Sequence, residues 1–318
     1  MNPPAETGNR LVQRFLPTLE ICFAICCWGS AYIAARYLLH PMTAGIVVLS
    51  PISLATLRFS IASLFFLLPL VHAIVHRRVS GRDVLMMALL GQLTFSLYYW
   101  LQYRGIQETN AGVSAILGVG LIPLFTTLLA HPFRKERLHV PLLIALSSGL
   151  LGVVLLVLQQ PLTLTLRSGF LLGAGCLVSN TFFFALYTHL SKRWMEHISP
   201  LVMTSGTMVS GTLVLILLSF LDPSHATWQK VFLLSGVQWG ALLFLSLACS
   251  VLAYFVYNRA VQKMDVSRVA IYFYVEPAIP LVLGALLLGE QLSWHVLVGA
   301  VLITISVFIV NLRKTKSS

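Results

Sequence analysis

The sequence predicts an all-α integral membrane protein, ten transmembrane helices arranged as two inverted five-helix repeats with both termini cytoplasmic. Three observations carry that prediction: the composition, the length of the apolar stretches and the placement of the basic residues. Of 318 residues, 58% are apolar and only 10% charged, and the mean hydropathy is +0.87. A soluble domain of this size needs more polar surface than that to cover its core.

Apolar stretches of about 20 residues with few charges can cross a hydrocarbon layer of about 30 Å. Divided at its charged and turn-rich breaks, the chain has such stretches at 17–39, 53–75, 83–103, 109–131, 140–158, 168–190, 199–221, 236–258, 266–288 and 294–312. The first follows a short tail, residues 1–16, that carries Arg10 and Arg14. Basic residues before an apolar run resemble a secretory leader, but this run exceeds the usual h-region and nine more follow, so it reads as the first span. Residues 313–318 form a second short basic tail.

The formal charge of +11 is distributed as a topology signal. Fifteen Lys and Arg residues lie in the two tails and the even-numbered loops, against only Arg104, Arg167 and Lys230 in the opposite loops. Cytoplasmic loops carry the basic excess, so both termini are expected inside and the span count is even. Such loops lie against an anionic leaflet, which removes the nucleic-acid reading of the charge. The five cysteines, Cys22, Cys26, Cys27, Cys176 and Cys249, all fall in apolar runs without metal-ligand spacing and read as small packing residues. No metal or cofactor is expected. HExxH, GxSxG and phosphate-loop patterns are missing as well, which argues against a membrane-embedded enzyme.

The two halves repeat. Arg104 and Gln107 match Arg259 and Gln262 at a distance of 155 positions, Pro123 and Glu136 match Pro277 and Glu290 at 154, and Trp28 and Arg36 match Phe184 and Lys192 at 156. The repeats are drawn at 17–158 and 168–312. Five spans in each half force opposite insertion, and inverted repeats of this kind mark secondary transporters with a site between the halves. Glu276 breaks the symmetry, since position 122 in the first half is Ile122.

Several of these residues together resemble a known family. Trp28-Gly29-Ser30 in the first span, Arg58-Phe59 opening the second, the Pro123 to Glu136 spacing, and Glu276-Pro277 thirteen residues before Gly289-Glu290 are similar to the EamA-type branch of the drug/metabolite transporter superfamily. The resemblance covers about residues 17 to 312. It implies ten helices with both termini inside and export or exchange of small metabolites such as amino acids. One departure is His131-Pro132-Phe133-Arg134-Lys135-Glu136, which stands where the second half has a Leu-Leu-Gly-Glu ending.

The candidate site residues come from helical spacing. Glu276 lies deep in an apolar run, where a charge costs about 2.5 to 3.5 kcal/mol on insertion scales and therefore faces a cavity, a partner or a proton. Pro277 and Pro280 follow it, and each frees backbone carbonyls by removing a donor. Trp28, Tyr32 and Arg36 lie four apart; Gln92, Ser96, Tyr99 and Tyr103 follow a 0, 4, 7, 11 pattern; Asn180, Phe184 and Tyr187 follow 0, 4, 7, as do Ser250, Tyr254 and Tyr257; Tyr272 precedes Glu276 by four. The substrate-binding candidates are Trp28, Tyr32, Gln92, Ser96, Tyr99, Asn180, Tyr254, Tyr272 and Glu276, with Glu276 also the proton-coupling candidate. Arg36 and Arg58 are charge-pairing candidates, for Glu276 or for a substrate carboxylate, or snorkel to the headgroups.

These residues point to an alternating-access carrier of a small metabolite in a bacterial inner (plasma) membrane, coupled to protons through Glu276. An uncoupled facilitator is the alternative. The expected partners are a small-molecule substrate, the lipid bilayer and protons, with no nucleic acid.

Overall fold

The computed structural model describes residues 4–39, 48–108, 116–134, 139–157, 169–221, 231–279, 282–283 and 293–312. No strand occurs among them. In chain order the helices are α1 (Pro4–Leu39), α2 (Pro51–Val75) and α3 (Gly81–Gly91, continuing as Gln92–Leu97 and Tyr98–Glu108). Then come α4 (Ile116–Gly120 and Ile122–Arg134), α5 (Val140–Val157), α6 (Phe170–Trp194) and α7 (Pro200–Leu221). The last are α8 (Gly236–Ser246, Leu247–Leu252 and Ala253–Lys263), α9 (Val266–Ile271 and Tyr272–Val275) and α10 (Trp294–Leu312).

Six of these, α1, α2, α3, α6, α7 and α8, are long and apolar enough to cross a membrane, while α4, α5, α9 and α10 show shorter apolar helices among the described residues. The outward faces carry Leu64, Phe65 and Leu68 on α2, Leu213 and Leu217 on α7, and Leu297 and Val301 on α10. Contiguous exposed apolar surface of this extent suits lipid rather than water. One expectation changes at the N-terminus. Helix α1 begins at Pro4, so most of the tail expected at 1–16 is helical; proline at the first position of a helix loses no intrahelical bond. The C-terminal tail, 313–318, lies outside the described residues.

Two helix starts are fixed the same way, 155 positions apart. Ser80 caps α3 in a reciprocal box with Asp83, and Ser235 caps α8 in a reciprocal box with Gln238. Each box satisfies backbone donors that the first turn would leave unpaired. The similarity continues along both helices. A π-helical stretch interrupts α3 at Gln92–Leu97 and α8 at Leu247–Leu252, again 155 positions apart. Helices α4 and α9 are broken at matching places too, by the π turn Ile116–Gly120 ahead of Pro123 and by the 3₁₀ turn Tyr272–Val275 ahead of Pro277. A proline cannot donate to the carbonyl four residues back and its ring crowds that turn, which is where both breaks fall.

Packing pairs helices across the two halves. Helix α2 lies against α7, α5 against α10, α1 against α8, α3 against α6 and α4 against α9. The α2–α7 seam is antiparallel, because Thr56 donates to the Leu215 carbonyl while Ser63 meets Thr212 at 2.8 Å. It is also reciprocal: Ser63 donates to the Met208 carbonyl and Thr212 to the Phe59 carbonyl. Tyr99 and Tyr254, 155 positions apart, share a hydroxyl–hydroxyl bond of 3.3 Å.

Lipid tails are as apolar as leucine, so close approach through small residues replaces hydrophobic drive between helices. Gly91 and Gly211 let α3 meet α7, and a Cβ on Gly91 would run into the Ser210 hydroxyl and the Thr207 carbonyl. Gly175, on α6, has open space around its Cα. Gly91→Ala is therefore expected to destabilise by about 1–3 kcal/mol through overpacking. Gly175→Ala is expected to be neutral or stabilising by up to about 1 kcal/mol through lower chain entropy. Unfolding of both variants in mixed micelles checks the contrast, and equal effects would refute the α3–α7 contact.

Candidate functional site

The break in α9 places Glu276 in the interior. The 3₁₀ turn ends in a tight turn at Glu276 and Pro277, where the Glu276 amide donates to Phe273 and its carbonyl accepts from Ile279. The residue is 7% exposed and its carboxyl makes no hydrogen bond to the described residues. Helix α1 comes close here because Gly29 lacks a side chain: a Cβ there would sit 2.9 Å from the Glu276 carbonyl oxygen and 2.7 Å from Ile279. The glycine of Trp28-Gly29-Ser30 thus serves close approach to the broken helix.

Trp28, one residue earlier, anchors an aromatic core. Its ring lies 5.0 Å from Tyr254, 5.2 Å from Tyr257, 5.8 Å from Phe273 and 6.4 Å from Phe184. Phe95 and Phe59 extend the core to Tyr99, with Phe95 4.9 Å from Tyr254 and Phe59 4.8 Å from Tyr99. Tyr272 is buried in the same cluster. Edge-on and tilted ring pairs at these separations gain about 0.5–1.5 kcal/mol each beyond their buried area. Three candidates, Trp28, Tyr99 and Tyr254, therefore come together, and Tyr272 lies in the same core beside the Glu276 turn.

Arg58 meets this core from α2. It is 6% exposed, and its guanidinium turns to α8. Its Nε donates to Ser250 Oγ at 2.7 Å and its Nη2 to the Cys249 carbonyl at 3.3 Å, while Trp28 Nε1 donates to that same carbonyl at 2.9 Å. The π-helical stretch of α8 makes this possible, since wide turns leave carbonyls without a regular i+4 donor. Phe59 and Tyr99 lie 5.0 and 5.8 Å from the guanidinium carbon, within cation–π range.

Other candidates are placed elsewhere. Gln92 donates to the carbonyls of Ala88 and Ser210, and Ser96 to that of Gly211, so both turn to α7. Asn180 is fully buried on α6, where its Oδ1 accepts from Thr181 and its Nδ2 has no partner. Thr181 in turn donates to the Leu117 carbonyl in the π turn of α4. The side chains of Tyr32 and Arg36 lie outside the described residues, as do Pro280, Glu136 and Glu290.

Sequence reasoning missed a set of polar links at the basic end of the molecule. Asp83 accepts from Trp194 Nε1 and lies against His197 Nε2, both at 3.1 Å, joining α3 to the turn between α6 and α7. Lys192 donates to the Met264 carbonyl, and Gln262 to that of Met195 at 2.6 Å, joining that turn to the end of α8. Arg259 closes on Glu20 of α1 at 2.8 Å. These links draw both halves together at that end. The signal was present in part: Glu20 is a carboxylate within the first apolar run, and Asp83 opens α3 beside Ser80.

Comparisons with known proteins accord with this architecture. Relatives include a protein named uncharacterized transporter from Archaeoglobus fulgidus, 26% identical over 92% of this chain and 97% of its own length. Another is the uncharacterized transporter YyaM of Bacillus subtilis, 25% identical over 87% of this chain and 89% of its own. A third, from Streptantibioticus cattleyicolor, is named probable terminal-alkyne amino-acid exporter and is 24% identical over 92% of both chains. A solved crystal structure, 18% identical, superposes with a TM-score of 0.75 over 93% of this chain and 96% of its own, a likeness of fold. The family model for EamA-like transporters matches twice, at residues 18–158 and 171–312. The chain belongs to the EamA-like transporter family, and with its membrane-length apolar helices it is a multi-pass membrane transporter.

Proposed function

We propose that the protein is an alternating-access secondary transporter that exports a small metabolite, such as an amino acid, across a bacterial inner membrane, with proton coupling through Glu276. The observation that carries the reading is the buried Glu276 carboxyl at the break of α9, beside the aromatic core and without a hydrogen bond to the described residues. A carboxyl in such a place is stable when it holds a proton or meets a ligand cation, and costly when it holds neither. Binding one and then the other on opposite faces of the membrane is what coupled exchange requires.

The frame for alternation is two five-helix repeats of opposite orientation, 17–158 and 168–312, with ten spans and both termini cytoplasmic. Matching capping boxes and matching π stretches in α3 and α8, matching breaks in α4 and α9 and the reciprocal α2–α7 seam support it. Broken helices that meet between inverted halves are where transporters of this design hold solute. The links through Asp83, Lys192, Gln262 and Arg259 lie at the end expected to face the cytoplasm. They part and re-form as that end opens and closes. A relative named as an amino-acid exporter makes amino acids the first solutes to try.

Glu276→Gln keeps the size of the side chain but cannot exchange a proton. In proteoliposomes carrying a labelled amino-acid panel, the variant is expected to lose flux driven by an imposed pH gradient while keeping counterflow. Gradient-driven flux that survives the substitution would take the coupling role from Glu276, and flux of the unmodified protein that ignores the gradient would leave an uncoupled facilitator. A second test concerns the Arg58–Ser250 bond, which ties α2 to the π stretch of α8. A double-mutant cycle of Arg58→Gln and Ser250→Ala is expected to give a coupling of about 0.5–3 kcal/mol in unfolding free energy. Additive effects would mean that the bond contributes nothing.

A further inference from the structure

The indole of Trp28 is held as a bound solute would be held. It is 8% exposed, with Phe273 roughly parallel at 27° and Tyr254, Tyr257 and Phe184 crossing it at 55–85°. Its single polar atom addresses a carbonyl of an irregular helix, that of Cys249. Apolar walls with one or two placed polar groups are what a small-molecule site consists of. The Cys249 carbonyl also accepts from Arg58, so both of its lone pairs are used. Phe184, which stands 156 positions from Trp28, has no donor to offer in the second half.

A carrier whose centre is filled by its own rings must vacate that centre to take up solute. Among the rings, Trp28 touches four of the others and bonds to the π stretch of α8. Its departure would open the middle of the core. Arg58 would stay on Cys249 and Ser250, keeping the carbonyl in position with one lone pair released.

We propose that Trp28 is a plug seated in the solute site, and that the solute which displaces it carries a flat, bulky apolar group and an N–H donor that takes over the Cys249 carbonyl. The inference rests on the transporter reading and adds a solute class and a residue that competes with the solute.

Cys249 is wholly buried, with its carbonyl bonded to the indole and its Sγ donating at 3.1 Å to the carbonyl of Cys27, the residue before Trp28, so its thiol can report on the indole. The protein is prepared full-length in lipid nanodiscs with Cys22, Cys26, Cys27 and Cys176 replaced by serine, and alkylation of Cys249 by N-ethylmaleimide is followed by mass spectrometry. Trp28→Ala is expected to speed alkylation at least about tenfold, given that exposure governs the access of a thiol. Added indole is expected to restore protection, and indene, of the same shape without the N–H, to protect about fivefold more weakly, the worth of one net hydrogen bond. Protection by neither probe overturns the site, and equal protection by both overturns the donor requirement.

Trp28→Phe keeps a ring and drops the donor, so it serves if Trp28→Ala does not fold. Tryptamine is expected to bind this variant about fivefold more tightly than the unmodified protein, because the plug has lost one hydrogen bond; equal or weaker binding overturns the plug. Counterflow separates the two readings. Flux without any protection or binding sinks the plug and leaves a transporter, whereas protection and binding without flux for any solute sink the transport reading and leave a binding site.

Discussion

Inside a bilayer a backbone carbonyl without a donor is costly, since no water is present to replace the bond. Among the described residues four stretches depart from the α-helical hydrogen-bond pattern to π or 3₁₀ turns, and at each one the bonding is completed from outside the regular helix or the segment is buried. The Cys249 carbonyl in the π stretch of α8 is taken by Trp28 of α1 and Arg58 of α2. The Leu117 carbonyl in the π turn of α4 is taken by Thr181 of α6. The π stretch of α3 is fixed to α7 by Gln92 and Ser96, which donate to the Ser210 and Gly211 carbonyls. The fourth break, at Glu276, is sealed by the close approach of α1 at Gly29. The arrangement of helices follows from these requirements, since each irregular turn needs a particular neighbour within hydrogen-bond or van der Waals reach.

Polar residues in this protein therefore divide by what they answer to. Thr181, Ser96 and Gln92 serve the backbone, and their removal would leave an unpaired group in an apolar medium. The pair Ser63 and Thr212 serves the seam between α2 and α7, where each hydroxyl also reaches a carbonyl on the opposite helix. Asn258 ties three helices, donating to Thr204 on α7 and to Tyr187 on α6 from its place on α8. Glu276 answers to none of these demands. Among the described residues its carboxyl satisfies no broken turn and spans no seam, which separates it from the structural polar groups around it.

The apolar stretches and the duplication were legible in the sequence, because each depends on residue type and spacing alone, and so was the place of Glu276 inside an apolar run. The sequence also brought Trp28, Tyr99 and Tyr254 into one group. The grouping of Gln92 and Ser96 with Tyr99 rested on a period of 3.6 residues, and the π stretch at Gln92–Leu97 widens the turn at that point. Side chains before and after it therefore leave the common face: Gln92 and Ser96 turn to α7 while Tyr99 enters the aromatic core. No proline or run of glycines announces that stretch, so periodicity could not reveal it. Arg58 was undecided between headgroups and interior for a different reason. Its position near the edge of a span permits both, and its bonds to α8, almost two hundred residues away, leave no trace in local spacing. The links at the basic end were hidden for the same cause, since Asp83, Trp194 and His197 are brought together by tertiary packing.

The near-symmetry of the frame and the asymmetry of its contents have distinct physical consequences. Two halves that share capping boxes, π stretches and helix breaks suit the alternating-access reading proposed above, in which the two halves exchange conformations about a pseudo-two-fold axis. The halves nevertheless differ in the side chains they contribute. The difference is concentrated at the centre: Arg58 and Ser250 form a polar pair between α2 and α8, whereas the residues 149 and 155 positions away from them are Thr207 and Phe95, on α7 and α3. Thr207 bonds back to its own helix at Met203 and meets Tyr187 of α6, with no cation in the place of Arg58. Glu276 likewise stands opposite an apolar residue of the first half. A cation, a carboxyl and an indole donor are thus gathered around one half's broken helices, where, on the transporter reading proposed above, a change in occupancy would bias one state over the other.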